Sequence, residues 1–383
     1  MNKLSEIFFS SGAILQLDAD RFALGWGRWH WSSAPDAQRP SYYCPDFFLH
    51  SQTPWFSPDF NLELSRADLT AEVLAFREMS PPLPLALTWE DPEFQEFEET
   101  FDRLPRLFEG GTLRKGVPVV FSRSKRFACS PSRLAELLAN CLERATGSSR
   151  IYGFWNGQEG CLGATPELLF EQPHPRLLRT MALAGTRALP AAAGGYAPNG
   201  GGAEAVAIQG AEAEDVYDAE FLADPKERAE HQWVIQDIEA SLAPHAEVRV
   251  EETEVIRLPR LAHLRTQIVA TPHSGRTFEE WVQTLHPTAA LGAFPRAAGL
   301  RWLREQESRP LSHGYSRARF GAPFGWQSPH GEAICRVAIR GVQWRKQELL
   351  LGTGCGIIPE SILKREWAEL ALKRQSVRGM LGI

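Results

Sequence analysis

Apolar residues recur along this chain at two different intervals, and the interval sorts the segments into helices and strands. Phe94, Phe97, Phe101 and Leu104 fall on one helical stripe, so a helix is expected from Phe94 to Leu107, after the Asp91-Pro-Glu turn. Ser130 and Pro131 form an N-cap and first-turn proline, predicting a helix that runs to about Glu143. Asp224 and Pro225 repeat that start signal before a helix to Leu242, with Val234, Ile235, Ile238 and Leu242 on its apolar side. Thr277–Leu285 and about Ser361–Lys373 read as further helices. Short apolar runs predict strands at Val117–Ser122, Ile151–Trp155, Leu168–Glu171, Leu177–Ala182, Val248–Val255, His263–Ala270, Gly321–Gln327, Ala333–Val342 and Glu348–Gly352. Residues 1–60, crowded with Trp, Tyr, Phe and Pro, read as irregular strands and turns. Residues 191–214 are mostly Ala, Gly and Glu and predict a mobile surface loop, since such a stretch buries too little to order itself.

No repeat and no Pro/Ser-rich linker divides the 383 residues, so one large α+β unit is expected, with 1–110 and 111–383 as parts of a single structure. A formal charge of −6 argues against nucleic-acid binding. It also fits an anionic substrate poorly unless a divalent cation mediates. No run approaches the roughly 18–20 apolar residues of a membrane helix, and Met1–Ile7 carries no leader-like apolar region. The six cysteines form no CxxC pair, which favours reduced thiols and a cytoplasmic protein over disulfides or zinc.

Candidate chemistry concentrates near the C-terminus. An apolar strand from Glu348 ends in Gly352, Gly354 and Gly356, where bare backbone N–H groups can approach a ligand. Glu366, Glu369 and Lys373 follow at i, i+3 and i+7, one face of a helix. Upstream, Glu227 and Glu230 sit one turn apart. A lone pair of this kind is ordinarily a solvated face, but two facing pairs would concentrate the hard oxygen ligands that Mg²⁺ takes. Glu167, in Gly163-Ala-Thr-Pro-Glu-Leu-Leu-Phe, is either a turn carboxylate or a buried one whose raised pKa suits a general acid. Leu183-Ala-Gly-Thr-Arg offers a small-residue turn with a hydroxyl at Thr186. Leu285-His-Pro-Thr reads as a helix stop, and His263 as a core histidine.

Taken together and in order, these blocks, with Lys226-Glu-Arg-Ala-Glu-His, His263-Leu-Arg-Thr, Val337-Ala-Ile-Arg and the Gly-Cys-Gly segment, resemble the chorismate-utilising enzymes, from about residue 112 to 375. That family includes isochorismate, salicylate, anthranilate and aminodeoxychorismate synthases. The resemblance implies the anthranilate synthase component I-like fold, a single large sandwich of two antiparallel β-sheets with helices outside. It implies Mg²⁺ held by Glu230 and Glu369, with Glu227 and Glu366 acting through waters. Lys373 would lie beside the ion and the ring carboxylate, while Arg340 and the backbone at Gly354 and Gly356 would clamp the enolpyruvyl carboxylate. Glu167 would protonate the departing C4 hydroxyl. Thr186, Ala184 and Gly185 would line the wall near it, and His263 would sit by the ring.

The chain departs from the family pattern at two positions. Pro118 stands where water-using members carry a base lysine; Lys115, three residues earlier, would serve only with a shifted loop. Phe320 replaces a tyrosine that many relatives direct at the pyruvyl carboxylate. Leu285-His-Pro-Thr and Leu183-Ala-Gly-Thr look most like isochorismate synthases, which add water at C2 of chorismate as the C4 hydroxyl leaves. The alternatives are amination with a separate glutaminase partner, pyruvate elimination to salicylate, or chorismate binding without turnover.

Overall fold

In the computed structural model, residues 4–82, 87–145, 147–189, 211–258, 260–308 and 317–383 are described. Sixteen strands among them pair into one antiparallel sheet. From one edge the order is Ala246–Arg257, Leu261–Pro272, Leu177–Ala188, Leu168–His174, Ala333–Val337 and Pro323–Gln327. The aromatic N-terminal strands Ser41–Tyr43, Trp55–Ser65, Arg21–Ser32 and Gly12–Gln16 occupy the middle. Arg150–Trp155, Glu159–Thr165, Gly341–Arg345, Glu348–Gly354, Val119–Lys125 and Trp89–Glu90 complete it.

Period-two alternation shows how this ladder becomes a sandwich. Ala13 and Leu15 face a cluster holding Tyr42, Phe56, Phe154 and Phe324, whereas Ile14 faces Phe8, Leu134 and Leu138 on the opposite side. The Phe154 and Phe324 rings, from opposite halves of the sheet, stack at 6.5 Å. The two expected layers are therefore halves of a single sheet folded onto itself, with helices outside.

Several sequence expectations change in detail. Residues 1–60 form long regular strands, because their aromatic side chains pack on both faces of the folded sheet. The Phe94–Leu107 helix is two, Phe94–Phe101 and Leu104–Glu109, since Pro105 cannot continue a helix from residues before it. The Ala333–Val342 strand breaks after Val337 and resumes at Gly341. The last helix spans Leu363–Leu381. Residues 191–210 of the predicted loop lie outside the described residues. Residues 211–214 already begin the Ala211–Ala223 helix, as alternating Ala and Glu favour. The helices Arg66–Met79 and Arg296–Ser308 and the strand Glu159–Thr165 are additional to those expected; the first starts at a Ser65 cap and buries Leu69, Val73 and Phe76.

The chain crosses between the two halves at neighbouring places, and these crossings position the site. Pro166 and Glu167 connect Glu159–Thr165 to Leu168–His174, while Ala338–Arg340 connect Ala333–Val337 to Gly341–Arg345. The crossings are pinned by backbone bonds, Val337 N to Glu167 O and Ala164 N to Arg340 O, each 3.2 Å. Tyr152 adds a hydroxyl bond to Ile339 O at 3.1 Å.

Two helices flank this junction. Pro225–Leu242, capped by the Asp224 side chain on Lys226 N and Glu227 N, buries Val234, Ile238 and Leu242 in the main core. Burial of each such side chain is worth roughly 1.5–3 kcal/mol. Asp237 on the same helix accepts from Ala289 N at 3.0 Å and from Arg296 Nη2 at 2.8 Å, which ties down the Leu285–Gly292 loop. Asp237→Ala is expected to destabilise the protein by about 3 kcal/mol, because it removes the carboxylate partner of Arg296 and leaves the Ala289 N–H unpaired; urea unfolding measures it.

Candidate active site

A cavity opens where the crossings, the Pro225–Leu242 helix and the glycine-rich turn meet. Glu167, Ala184, Gly185, Thr186, Glu230, His263, Phe320, Arg340, Gly354, Gly356 and Lys373, all candidates from the sequence, line it. Glu227, Glu366 and Glu369 line an adjoining cavity that shares Thr186. Every candidate residue is thus in or beside one region.

Glycine at 185 shapes one wall. The Leu177–Ala188 strand bulges there against His263 and Leu264, and Gly185 takes φ +77°, which a side chain would strain. The bulge presents Gly185 O to His263 Nδ1 at 3.0 Å and Thr186 N to Glu227 Oε2 at 2.9 Å. Arg340 Nη2 lies 2.8 Å from His263 Nε2. A guanidinium can only donate, so Nε2 is the bare nitrogen and Nδ1 carries the proton toward Gly185 O. Burial, reinforced by Arg340 and Lys373, holds His263 well below the usual histidine range, and the ring is neutral. Arg340 itself occupies φ +56°, a conformation that costs energy for a non-glycine residue and recurs at functional sites. Burial lowers its pKa to about 10 and it keeps its charge.

Glu167 is 4% exposed. Burial raises its carboxyl to about 7, opposed by a hydrogen bond from Thr288 Oγ1 at 3.3 Å and by the charges of Lys115 and Lys373. Near neutrality this group holds a proton it can give away.

Opposite stands a group of four carboxylates and three lysines. Lys226 Nζ lies 3.3, 3.1 and 3.2 Å from Glu227, Glu230 and Glu366. Lys115, fully buried, sits 3.1 Å from Glu230, and Lys373 pairs with Glu369 at 2.7 Å while donating to Gly354 O at 2.7 Å. Burial alone would raise Glu230, but Lys115 and Lys226 outweigh it and hold it down to about 2. Glu227 and Glu366 go the other way, up to about 7, through burial and through the neighbouring carboxylates. Burial works against the charge of Lys226, yet the surrounding glutamates hold its pKa above the usual lysine range.

This geometry revises the reading of three segments. The buried lysine is Lys115 on the Lys115–Gly116 strand; of its neighbours Val117, not Pro118, lines the cavity. Lys226 lies at the centre of the carboxylates, a place its i→i+4 spacing to Glu230 signals only once the second helix is known to face it. Thr288, read in the sequence as part of a helix stop, reaches Glu167 through the tied-down loop. Phe320 lines the cavity with its ring 5.9 Å from Phe121, edge to face.

As arranged here, no three carboxylate, imidazole or thiolate groups among the described residues stand ready to hold a metal. The donor set nonetheless suits Mg²⁺: hard oxygens, largely buried, with Glu366 Oε2 unpartnered and Glu227 and Glu366 sharing the single charge of Lys226.

The fold is an α+β sandwich, and its cavity brings together a buried arginine, a buried carboxyl and a cluster of carboxylates and lysines. The chain belongs to the chorismate binding enzyme family, which matches residues 58–379. It is 32% identical over 236 residues to the salicylate biosynthesis isochorismate synthase of Pseudomonas aeruginosa, covering 61% of this chain and 44% of that protein. The chain spans less than half the length of the curated relatives first matched. The fold is shared with MenF, the menaquinone-specific isochorismate synthase from Escherichia coli, at TM-score 0.77 and 20% identity over 98% of this chain and 90% of that one. Anthranilate synthase component I from Streptococcus pneumoniae aligns at TM-score 0.66 and 14% identity over 97% and 92%. No helix among the described residues is long and apolar enough to cross a membrane.

Thr288→Val should push Glu167 still higher, since it removes the hydrogen bond that favours the ionised form. Carboxyl ¹³C NMR across pH 5–9 would show its midpoint moving above about 7.

Proposed function

We propose that this protein isomerises chorismate to isochorismate with Mg²⁺ as its cofactor. The observation that carries this is Glu167, a buried carboxyl with a pKa of about 7 in the cavity that Arg340 and Lys373 also line. In the reaction a water oxygen bonds to C2, the ring double bonds shift, and the C4–oxygen bond breaks. One proton leaves the attacking water and one joins the departing hydroxyl, so water enters and water leaves.

Arg340 and the backbone at Gly354 and Gly356 hold the enolpyruvyl carboxylate by charge-assisted bonds. Neutral His263 fixes the Arg340 guanidinium without competing for the anion, because its bare Nε2 faces the arginine. Glu167 donates its proton to the C4 oxygen, and the crossing that carries it keeps it away from bulk water. Mg²⁺, bound by Glu230 and Glu369 with Glu227 and Glu366 through waters, would supply the positive charge that an acidic protein needs to hold the ring carboxylate. Lys226, which pairs with Glu227, Glu230 and Glu366, supplies the positive charge that a bound ion would take over there. Lys115 is fully buried and ion-paired to Glu230 at 3.1 Å, its side chain committed to that carboxylate. Pairing of this kind leaves water activation to another group or to solvent.

Incubation with chorismate and Mg²⁺ followed by product separation tests the reading: isochorismate supports it, while salicylate, an amino adduct formed from ammonia, or unchanged chorismate rejects it. Glu167→Gln is expected to lower kcat by at least about 100-fold with little change in KM. In the wild type kcat should fall as pH rises through about 7, because the acid must be protonated to act. Calorimetric titration with Mg²⁺ should show binding to the wild type and none to Glu369→Gln, with both proteins equally folded by circular dichroism.

A further inference from the structure

Behind Arg340 lies a second cavity that the proposed reaction does not use. It has a volume of about 250 Å³ and shares two lining residues, Arg340 and Val377, with the active-site cavity. Roughly 150 Å³ is enough to hold benzene, so a single substituted ring fits. Its apolar walls come from Ala164, Leu258 and Met380.

Its polar lining includes Ser149, Gln375 and Ser376, and its charged groups are all of one sign. Arg144 from the end of the Pro131–Arg144 helix, Arg260 from the turn between two strands, and Arg340 from the crossing all line it, and no Asp or Glu does among the described residues. Three arginines from distant segments bordering one hollow is unexpected in a chain of charge −6. Arg144 is partly engaged, donating to Gly379 O at 2.8 Å with Glu143 3.7 Å from its Nε at the rim. Arg260 is exposed at the mouth. Arg340 is 9% exposed, and its Nη1 is buried without a hydrogen-bond partner. Such a group costs free energy until an acceptor reaches it.

We infer that the second cavity binds a small aromatic carboxylate, its ring against Leu258 and Met380 and its carboxylate between Arg260 and Arg340. Because Arg340 borders both cavities, an anion held there competes for the guanidinium that the active site uses. The ligand is therefore an inhibitor that need not resemble the substrate in shape. This regulatory consequence rests on the proposed function; the binding site itself does not.

Benzoate is the probe, titrated calorimetrically into the full chain. Affinity should fall about tenfold in Arg260→Ala and be lost in Met380→Trp, which fills the cavity, while Thr186→Val in the other cavity changes it less than twofold. Thermal midpoints within a few degrees of wild type establish that each variant is folded. Undetectable benzoate binding to the wild type, unchanged affinity in both second-cavity variants, or loss in Thr186→Val overturns the inference. With benzoate saturating, chorismate should bind more weakly and, by reciprocity, chorismate should weaken benzoate equally. Since the first titration requires no turnover, a failed product assay and a failed second site are separately visible.

Discussion

One sheet has to fold onto itself, and the chain must pass between its halves without leaving backbone groups unpaired. Everything at the site follows from how that is done. Two crossings run side by side, Pro166–Glu167 and Ala338–Arg340, and each is fastened to the other's strands by backbone bonds. A crossing interrupts the pleat, so its side chains are released from the regular in-and-out alternation and can point along the junction. The carboxyl of Glu167 and the guanidinium of Arg340 occupy these positions. A positive φ at Arg340 is tolerated because strands on both sides determine it.

Charge compensation is the second organising principle. Four carboxylates drawn from two helices are tolerable in a buried setting only with counter-charges, and Lys115, Lys226 and Lys373 supply three. The compensation is uneven. Glu230 touches two ammoniums and is held ionised, whereas Glu227 and Glu366 share one and are pushed toward neutrality. The residual repulsion lies among hard oxygen donors, and the proposed Mg²⁺ site rests on that feature.

Much of the site could be read from the residues because its parts carry local signatures. Asp224 and Pro225 cap the helix that holds Glu227 and Glu230, and the 366, 369, 373 spacing places three charges on one face before any tertiary contact exists. The ordered blocks that resemble the family supplied the roles of residues such as His263 and Arg340, which look ordinary in isolation. The N-terminal third was harder to read. Its strands depend on aromatic packing between distant segments, as with Trp29 on Phe154, and the Arg66–Met79 helix shows only a thin apolar stripe of Leu69, Val73 and Phe76 in a stretch of mixed charge.

By itself the sequence determined the helix starts at Phe94, Pro131, Pro225 and Phe278, most of the strands in the second half, the carboxylate pairs and the glycine turn, since each rests on interactions within a few residues. Tertiary structure alone decided that Lys115 rather than position 118 brings an ammonium to Glu230, that Thr288 reaches Glu167, and that Lys226 stands among three carboxylates. It likewise decided the pKa of Glu167, because burial and the approach of remote charges arise only when the sheet closes. Local chemistry can be written in a short stretch of chain; distances between side chains far apart in sequence are set only by the fold that joins them.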